Sequence, residues 1–381
     1  MNNQTHLLRG LNFFFFATQS ILLPLLPLYF ALRGFTNQEI GLFMMIGPFV
    51  AVFAQPMWGY LSDRLQSIKW IIFTLWSLTI ASSFGLFFAA GYSATLLFVL
   101  LLYFFMLPAT PLLDSLNIRM AMERGLSYGS IRMWGSVGFL LLAAGTGSLL
   151  PLFGGVANIG VMYWLLWIVP MILMLFLKDK PAAGPRLTWA SMKAVFHNRT
   201  FLWFLVMVFL ITIPHRMNDA LFGLYLQSLG ASPGMISLAW ALAAAGEIPT
   251  FALLGRYMNR YHELAVLGLV SVLYTIRWLL YAYIHDPWVL VFLQLTHSVT
   301  YAVFWLVAVQ YAVRLIPEEL RSTGQALLSA VFLGLAGITG GFVGGWFQDE
   351  YGGTGMYLFG TVLTAISAVL FLVTHARQRK R

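Results

Sequence analysis

The chain has 381 residues, 60% of them hydrophobic and 9% charged, with a net charge of +9 and no cysteine. That balance excludes a soluble globular domain, and the absent cysteines exclude disulfides, thiol nucleophiles and cysteine-ligated metal. The cations do not describe a nucleic-acid binder, because they fall in short connectors between apolar runs and not along one polar face. The expected fold is therefore an all-α membrane protein, with the lipid bilayer as its solvent.

A helix needs about 20 apolar residues to cross the hydrocarbon core. Runs of that kind predict about twelve spans, at Leu7–Leu32, Asn37–Leu61, Trp70–Ala90, Thr95–Asn117, Ser130–Leu150, Asn158–Leu177, Phe201–Leu229, Met235–Leu254, Leu264–Tyr283, Pro287–Val313, Thr323–Phe347 and Thr354–His375. The first run is too long for a signal-peptide core and lacks a small-residue cleavage site, so it is expected to stay as a helix. Pro24, Pro27, Pro108 and Pro111 are expected to kink spans one and four. The polar stretch 178–200, with Pro181 and Pro185, divides the chain into two six-helix bundles, 1–177 and 201–381. Of the 22 lysines and arginines, eighteen fall on the side of the two termini, which predicts cytoplasmic termini and a cytoplasmic linker.

The halves echo each other. Gly59-Tyr-Leu-Ser-Asp63-Arg64 follows the second span, and Gly255-Arg-Tyr-Met-Asn259-Arg260 follows the eighth. Gly59 is expected to let two helices approach, with Asp63 and Arg64 clamping helix ends. Two similar bundles suit a carrier that alternates access to a site held between them.

Three arginines stand inside predicted spans: Arg132, Arg216 and Arg277. A charge at that depth costs at least about 2.5–3.5 kcal/mol unless it is paired or wet. Arg132 either faces Asp114 or snorkels to the interface. In the second half His215, Arg216, Asp219, Glu247, Arg277, Gln294 and His297 form a second set of candidates. Arg216 and Asp219, three residues apart, either pair on one helix or serve a solute. The two histidines are either satisfied by neighbouring helices or belong to a relay. Glu247 opposite Arg277 is the expected proton-coupling pair, with Asp219 as the alternative acid. Tyr29, Trp134, Phe139, Tyr301 and Trp305 are aromatic candidates for the cavity, whereas the run Phe13–Phe16 is expected to face lipid and neighbouring helices. Glycines in spans five and eleven recur at a spacing that permits close helix contact. Asp349 and Glu350 are expected in a solvated loop.

GYLSDRLQSIK (59–69) resembles the loop signature of the major facilitator superfamily, and the twelve spans and central linker extend the resemblance to the whole chain. AQPMWGYLSDRL (54–65), YGSIRMWGSVGF (128–139) and NFFFF (12–16) are similar to segments of the branch that contains lactose permease, the nucleoside permeases and the phenylpropionate permeases. The resemblance implies a sugar-gripping role for Asp114 and Arg132, with Phe139 at a stacking position. It implies roles in solute binding or proton coupling for Asp219, Glu247, Arg277 and His297. Two departures stand out: Thr300 occupies the place of the family's proton-carrying glutamate, and Gln294 that of a basic residue. The sequence has no HExxH, no GxSxG and no phosphate-cradling loop, so neither an enzyme nor an ATP-driven pump is expected. The expectation is a monomeric proton symporter for a small polar solute, needing no cofactor or metal. A permease for an aromatic carboxylate and an exporter on the same fold are the competing readings.

Overall fold

The computed structural model describes residues 2–65, 67–126, 128–178, 198–257, 261–316, 324 and 327–379. The linker segment 179–197, residues 258–260 and the side chains of Asp63 and 251–257 lie outside the described residues, and with them the second copy of the repeated connector. The first eleven helices in chain order are α1 Asn2–Leu32, α2 Asn37–Leu65, α3 Ile68–Phe88, α4 Gly91–Glu123, α5 Tyr128–Leu149, α6 Ile159–Phe176, α7 Arg199–Ser228, α8 Pro233–Tyr257, α9 Glu263–Tyr283, α10 Pro287–Leu315 and α11, residues 327–351. A twelfth, α12, runs over residues 353–379. Gly352, at φ 66° and ψ −177°, separates the last two, a left-handed conformation that glycine adopts without steric cost. Each of the twelve expected spans thus has a helical counterpart, and no strand occurs among the described residues.

The chain forms two compact units. The first comprises Met1–Phe35, Ile46–Gly184 and Ser232–Ala241, and the second Thr36–Met45, Pro185–Ala231 and Leu242–Arg381. Hydropathy gives no sign that the start of α2 groups with the second unit and the start of α8 with the first.

In the first unit α1 lies against α5 and α6, and α3 against α4. Close approach of α5 to α1 depends on Gly138, where any Cβ would overlap the Phe13 carbonyl oxygen. The core is aromatic: Phe15 stacks on Trp76 at 5.2 Å, and Trp76 meets Trp167 at 5.3 Å. Lys69 is buried, and its Nζ donates to the Leu175 and Leu177 carbonyls at 2.8 and 2.6 Å. It thereby satisfies the exposed acceptors and the negative end of α6. Gln4 also bonds the Phe176 carbonyl at 3.2 Å, so the amino terminus and the start of the linker share one end of this unit.

In the second unit α7 and α9 pack on α11 and α12. Gly340 and Gly344 of α11 face Ile213, Met217 and Leu221 of α7 with no room for a larger residue. Gly41 of α2 meets the α11 backbone at Gly341 and Gly345 in the same way. Asp349 corrects the expectation of a solvated loop: its carboxylate accepts from the Asn37 and Gln38 amides at 3.2 and 2.6 Å. An anion at those amides meets the positive end of α2. At the other end of this unit Glu263 pairs with Arg314 at 2.9 Å, and the His262 and His375 rings lie 4.6 Å apart.

Candidate functional site

In the first unit, the predicted pair exists. Arg132 Nε lies 3.5 Å from Asp114 Oδ1, with both side chains about 30% exposed, at 29% and 30%. Arg132 does not merely snorkel, because its guanidinium carbon sits 3.8 Å from the Phe16 ring centroid. Such a cation over a ring face gains about 0.5–2 kcal/mol depending on desolvation. Gly135 leaves the space for this stack, since a Cβ there would press on both Phe16 and Arg132. One turn away, Asn12 and Asn117 exchange two amide hydrogen bonds of 2.8 Å while fully buried, and so tie α1 to α4 beside the pair.

Phe16 is the residue that sequence reading missed. Within NFFFF nothing in the composition says which ring meets the charged pair, and the run was expected to face lipid and neighbouring helices. Its i+4 relation to Asn12 was the one available signal. Trp134 is two positions from Arg132, on another face of α5, and is 39% exposed. Phe139 lies seven residues on, along the same face of α5 as Arg132 and partly exposed. Tyr29 does not join this set. It donates to the Phe87 carbonyl at 3.1 Å and accepts from Arg33 at 2.8 Å, which seats it at the opposite end of α1. Gly59 also differs from expectation, for among the described residues nothing lies within 4 Å of a Cβ placed there. Arg64 is exposed, and the Asp63 side chain lies outside the described residues.

In the second unit, α7, α8, α9 and α10 bring a cluster of polar side chains together. The helix geometry of α10 makes this possible. Gln294–Thr296 forms a tight 3-10 turn and Ser298–Ala302 a wide π turn, so Gln294, His297 and Thr300 all present to α9. Irregular turns of this kind occur mostly at functional sites. Arg277 is 2% exposed and donates to Gln294 Oε1 at 2.6 Å and Thr300 Oγ1 at 2.9 Å. Its further contacts are the Tyr281 hydroxyl at 3.4 Å and His297 Nδ1 at 3.5 Å, and its Nε is buried with no hydrogen-bond partner. None of these partners is a carboxylate.

The expected opposition of Glu247 to Arg277 therefore needs correction. Glu247 Oε1 pairs with His297 Nε2 at 3.1 Å, and no ion pair joins Arg277 to a carboxylate among the described residues. The physical reason is the π turn, which places the imidazole between acid and guanidinium. Arg216 and Asp219 do pair on their own helix, Nη1 to Oδ2 at 2.7 Å, and Arg216 also lies over the Phe332 ring at 4.7 Å. His215 belongs to the cluster. Its ring stacks on both Tyr301 at 5.1 Å and His297 at 5.3 Å, with Nε2 3.5 Å from Asp219 Oδ2 and Nδ1 3.3 Å from the Tyr274 hydroxyl. Trp305 packs on Phe332 at 4.9 Å. No group of three or more potential metal ligands converges among the described residues.

Long apolar helices in two units, each carrying an internal polar cluster that lipid could not tolerate unfilled, define a polytopic membrane transporter and not an enzyme. Residues 6–359 match the MFS_1 like family, and the chain belongs to that family, within the major facilitator superfamily. It is 31% identical over 371 residues to the maltose permease of Geobacillus stearothermophilus, spanning 96% of this chain and 93% of that one. The "Probable 3-phenylpropionic acid transporter" of Escherichia coli (strain K12) is 28% identical over 336 residues, spanning 84% and 85%. The crystal structure of the nucleoside transporter NupG superposes with a TM-score of 0.85 at 20% identity, over 98% of each chain. That last likeness concerns the fold.

Proposed function

We propose that this transporter is a proton-coupled symporter that imports a small polar solute, sugar-like or nucleoside-like, across the inner membrane with both termini in the cytoplasm. The observation that carries the reading is the half-exposed Asp114–Arg132 pair lying against the Phe16 ring. A carboxylate and a guanidinium together accept from and donate to vicinal hydroxyls, and an aromatic face stacks on the apolar side of a sugar ring. The relation to a maltose permease over nearly the full length supports the same class. Protons, and not ATP, are the expected partner in transport, acting on the Asp219, Glu247, His297 and Arg277 cluster. The working unit is a monomer.

A second reading has its own support. Arg277 is a buried cation with no carboxylate partner among the described residues and an unpartnered Nε, which is the environment a solute carboxylate would complete. This favours an aromatic acid of the kind named for the 28% identical relative.

The discriminating measurement is uptake of labelled maltose, uridine and 3-phenylpropionate into vesicles under an imposed pH gradient, for the parent and for Asp114→Asn. The first reading expects maltose or uridine uptake that collapses with the gradient and is abolished by the substitution. Aromatic-acid uptake that survives Asp114→Asn selects the second reading. Uptake that follows sodium and ignores the pH gradient removes proton coupling, and solute efflux as the only activity marks an exporter.

A further inference from the structure

The two stacked histidines of the second unit cannot both be cations, since like charges about 5 Å apart in a low-dielectric setting repel strongly. The hydrogen-bond partners differ in a way that selects one of them. His297 Nδ1 faces the Arg277 Nη1 donor at 3.5 Å, and its Nε2 faces the Glu247 carboxylate at 3.1 Å. A hydrogen on Nε2 and an acceptor at Nδ1 is the arrangement that serves both of these contacts. A second proton, on Nδ1, would set N–H against N–H, beside a permanent charge. His215 meets no such obstacle. Its Nε2 faces the Asp219 carboxylate, and its Nδ1 faces the Tyr274 hydroxyl, a group that both donates and accepts.

We propose that His215 is the proton-carrying group of this transporter, in the role for which Thr300 has no acid to offer. The inference rests on the proton-symport reading above and names the group that serves it. The neutral ring takes one proton at Nδ1 and becomes imidazolium. The Tyr274 hydroxyl turns from donor to acceptor, and Nε2–H remains on Asp219. The same proton leaves from Nδ1 at the opposite membrane face, and no heavy atom needs a new partner. The charged and titratable groups around His215 are Arg216 and Asp219 on α7, Tyr274 and Arg277 on α9, His297 and Tyr301 on α10, and Glu247 of α8 through His297; α11 presents the Phe332 ring.

Coupling follows from a shared atom. Arg216 and His215 both contact Asp219 Oδ2, at 2.7 and 3.5 Å. A charged His215 competes for that oxygen and weakens the hold on Arg216, whose guanidinium rests on the π turn Ala330–Leu335 of α11. Proton occupancy is thus read by the contact between α7 and α11. Glu247, 27% exposed and in contact with His297, is left to serve the solute.

The test uses the full chain in lipid with 15N-labelled histidine. The resonance absent from His215→Gln is expected to shift from a neutral to an imidazolium signature on acidification, and the one absent from His297→Gln to keep a single neutral Nε2–H tautomer over the same range. Titration of the His297 signal, or of neither signal, overturns the proposal. In proteoliposomes, His215→Gln is expected to lose accumulation of the solute that the parent takes up under a pH gradient. Retained gradient-driven accumulation in that variant overturns it also. A parent that shows no gradient-driven uptake of any of the three solutes refutes the symport reading instead, and the spectroscopic result stands apart from that outcome. Unchanged signals from the remaining five of the seven histidines report that the variants are folded.

Discussion

His262 shows how one side chain can make the fold sensitive to acid. It caps α9, with Nδ1 accepting from the Leu264 amide at 3.3 Å, and its ring lies 4.6 Å from that of His375. Burial first, and then the neighbouring His375, hold its protonation below the ordinary histidine range, with Glu263 opposing and Arg314 assisting. The folded chain therefore binds this proton less readily than the unfolded chain does. The stabilising contribution is complete above the ordinary value of about 6.5 and is lost as pH falls below it towards the depressed folded value. Thermal unfolding in detergent is expected at lower temperature at about pH 5.5 than at about pH 7.5. The difference should shrink in His262→Asn, which keeps a capping acceptor without the titration. An equal difference in both proteins would place the acid sensitivity elsewhere.

At the scale of single residues, the sequence was legible where a charge had one possible partner. Asp114 and Arg132 are lone ionisable groups on adjacent apolar runs, and they meet. It was illegible where several identical residues compete, as in the choice of Phe16 within Phe13–Phe16. It also misled where the backbone leaves the α-helical period. Residue counting along an ideal α10 cannot foresee a 3-10 turn followed by a π turn, and those turns set His297 between Glu247 and Arg277.

Among the helices, glycine spacing pointed to close contact in spans five and eleven, and the contacts are there. Its meaning at each position still depends on the neighbour. At Gly138 an added methyl would meet the Phe13 carbonyl, part of a backbone that cannot swing aside, whereas Gly59 has nothing within 4 Å. Gly138→Ala is expected to force α5 from α1 and destabilise by about 1–3 kcal/mol, the usual cost of overpacking. Gly59→Ala should leave the unfolding temperature unchanged or slightly raised, since alanine favours a helix. Thermal unfolding of the two variants beside the parent checks this, and similar losses in both would show that the packing argument fails. Asp349 marks the limit of reading by composition. Two acids beside a tyrosine look like a wet loop, yet one of them holds the first amides of a helix more than 300 residues away in sequence.

Over the whole molecule, the helical spans were readable because bilayer thickness fixes helix length so strictly. The grouping of residues 36–45 and 232–241 was not readable, since it depends on tertiary contacts that hydropathy does not record. Arg277 carries a consequence for how such a protein is made. Three of its four acceptors, Gln294, His297 and Thr300, are translated after it, on the next helix. During synthesis α9 therefore reaches the translocon before these three acceptors exist to satisfy its guanidinium, and it should enter lipid poorly until α10 has emerged to accompany it. A glycosylation reporter placed just beyond α9 is expected to show weak insertion, one placed beyond α10 efficient insertion, and Arg277→Leu should abolish the difference. Equal insertion at both points would mean that α9 integrates unaided. The same arginine that awaits a partner in the mature site thus obliges the ribosome to deliver these two helices as a hairpin.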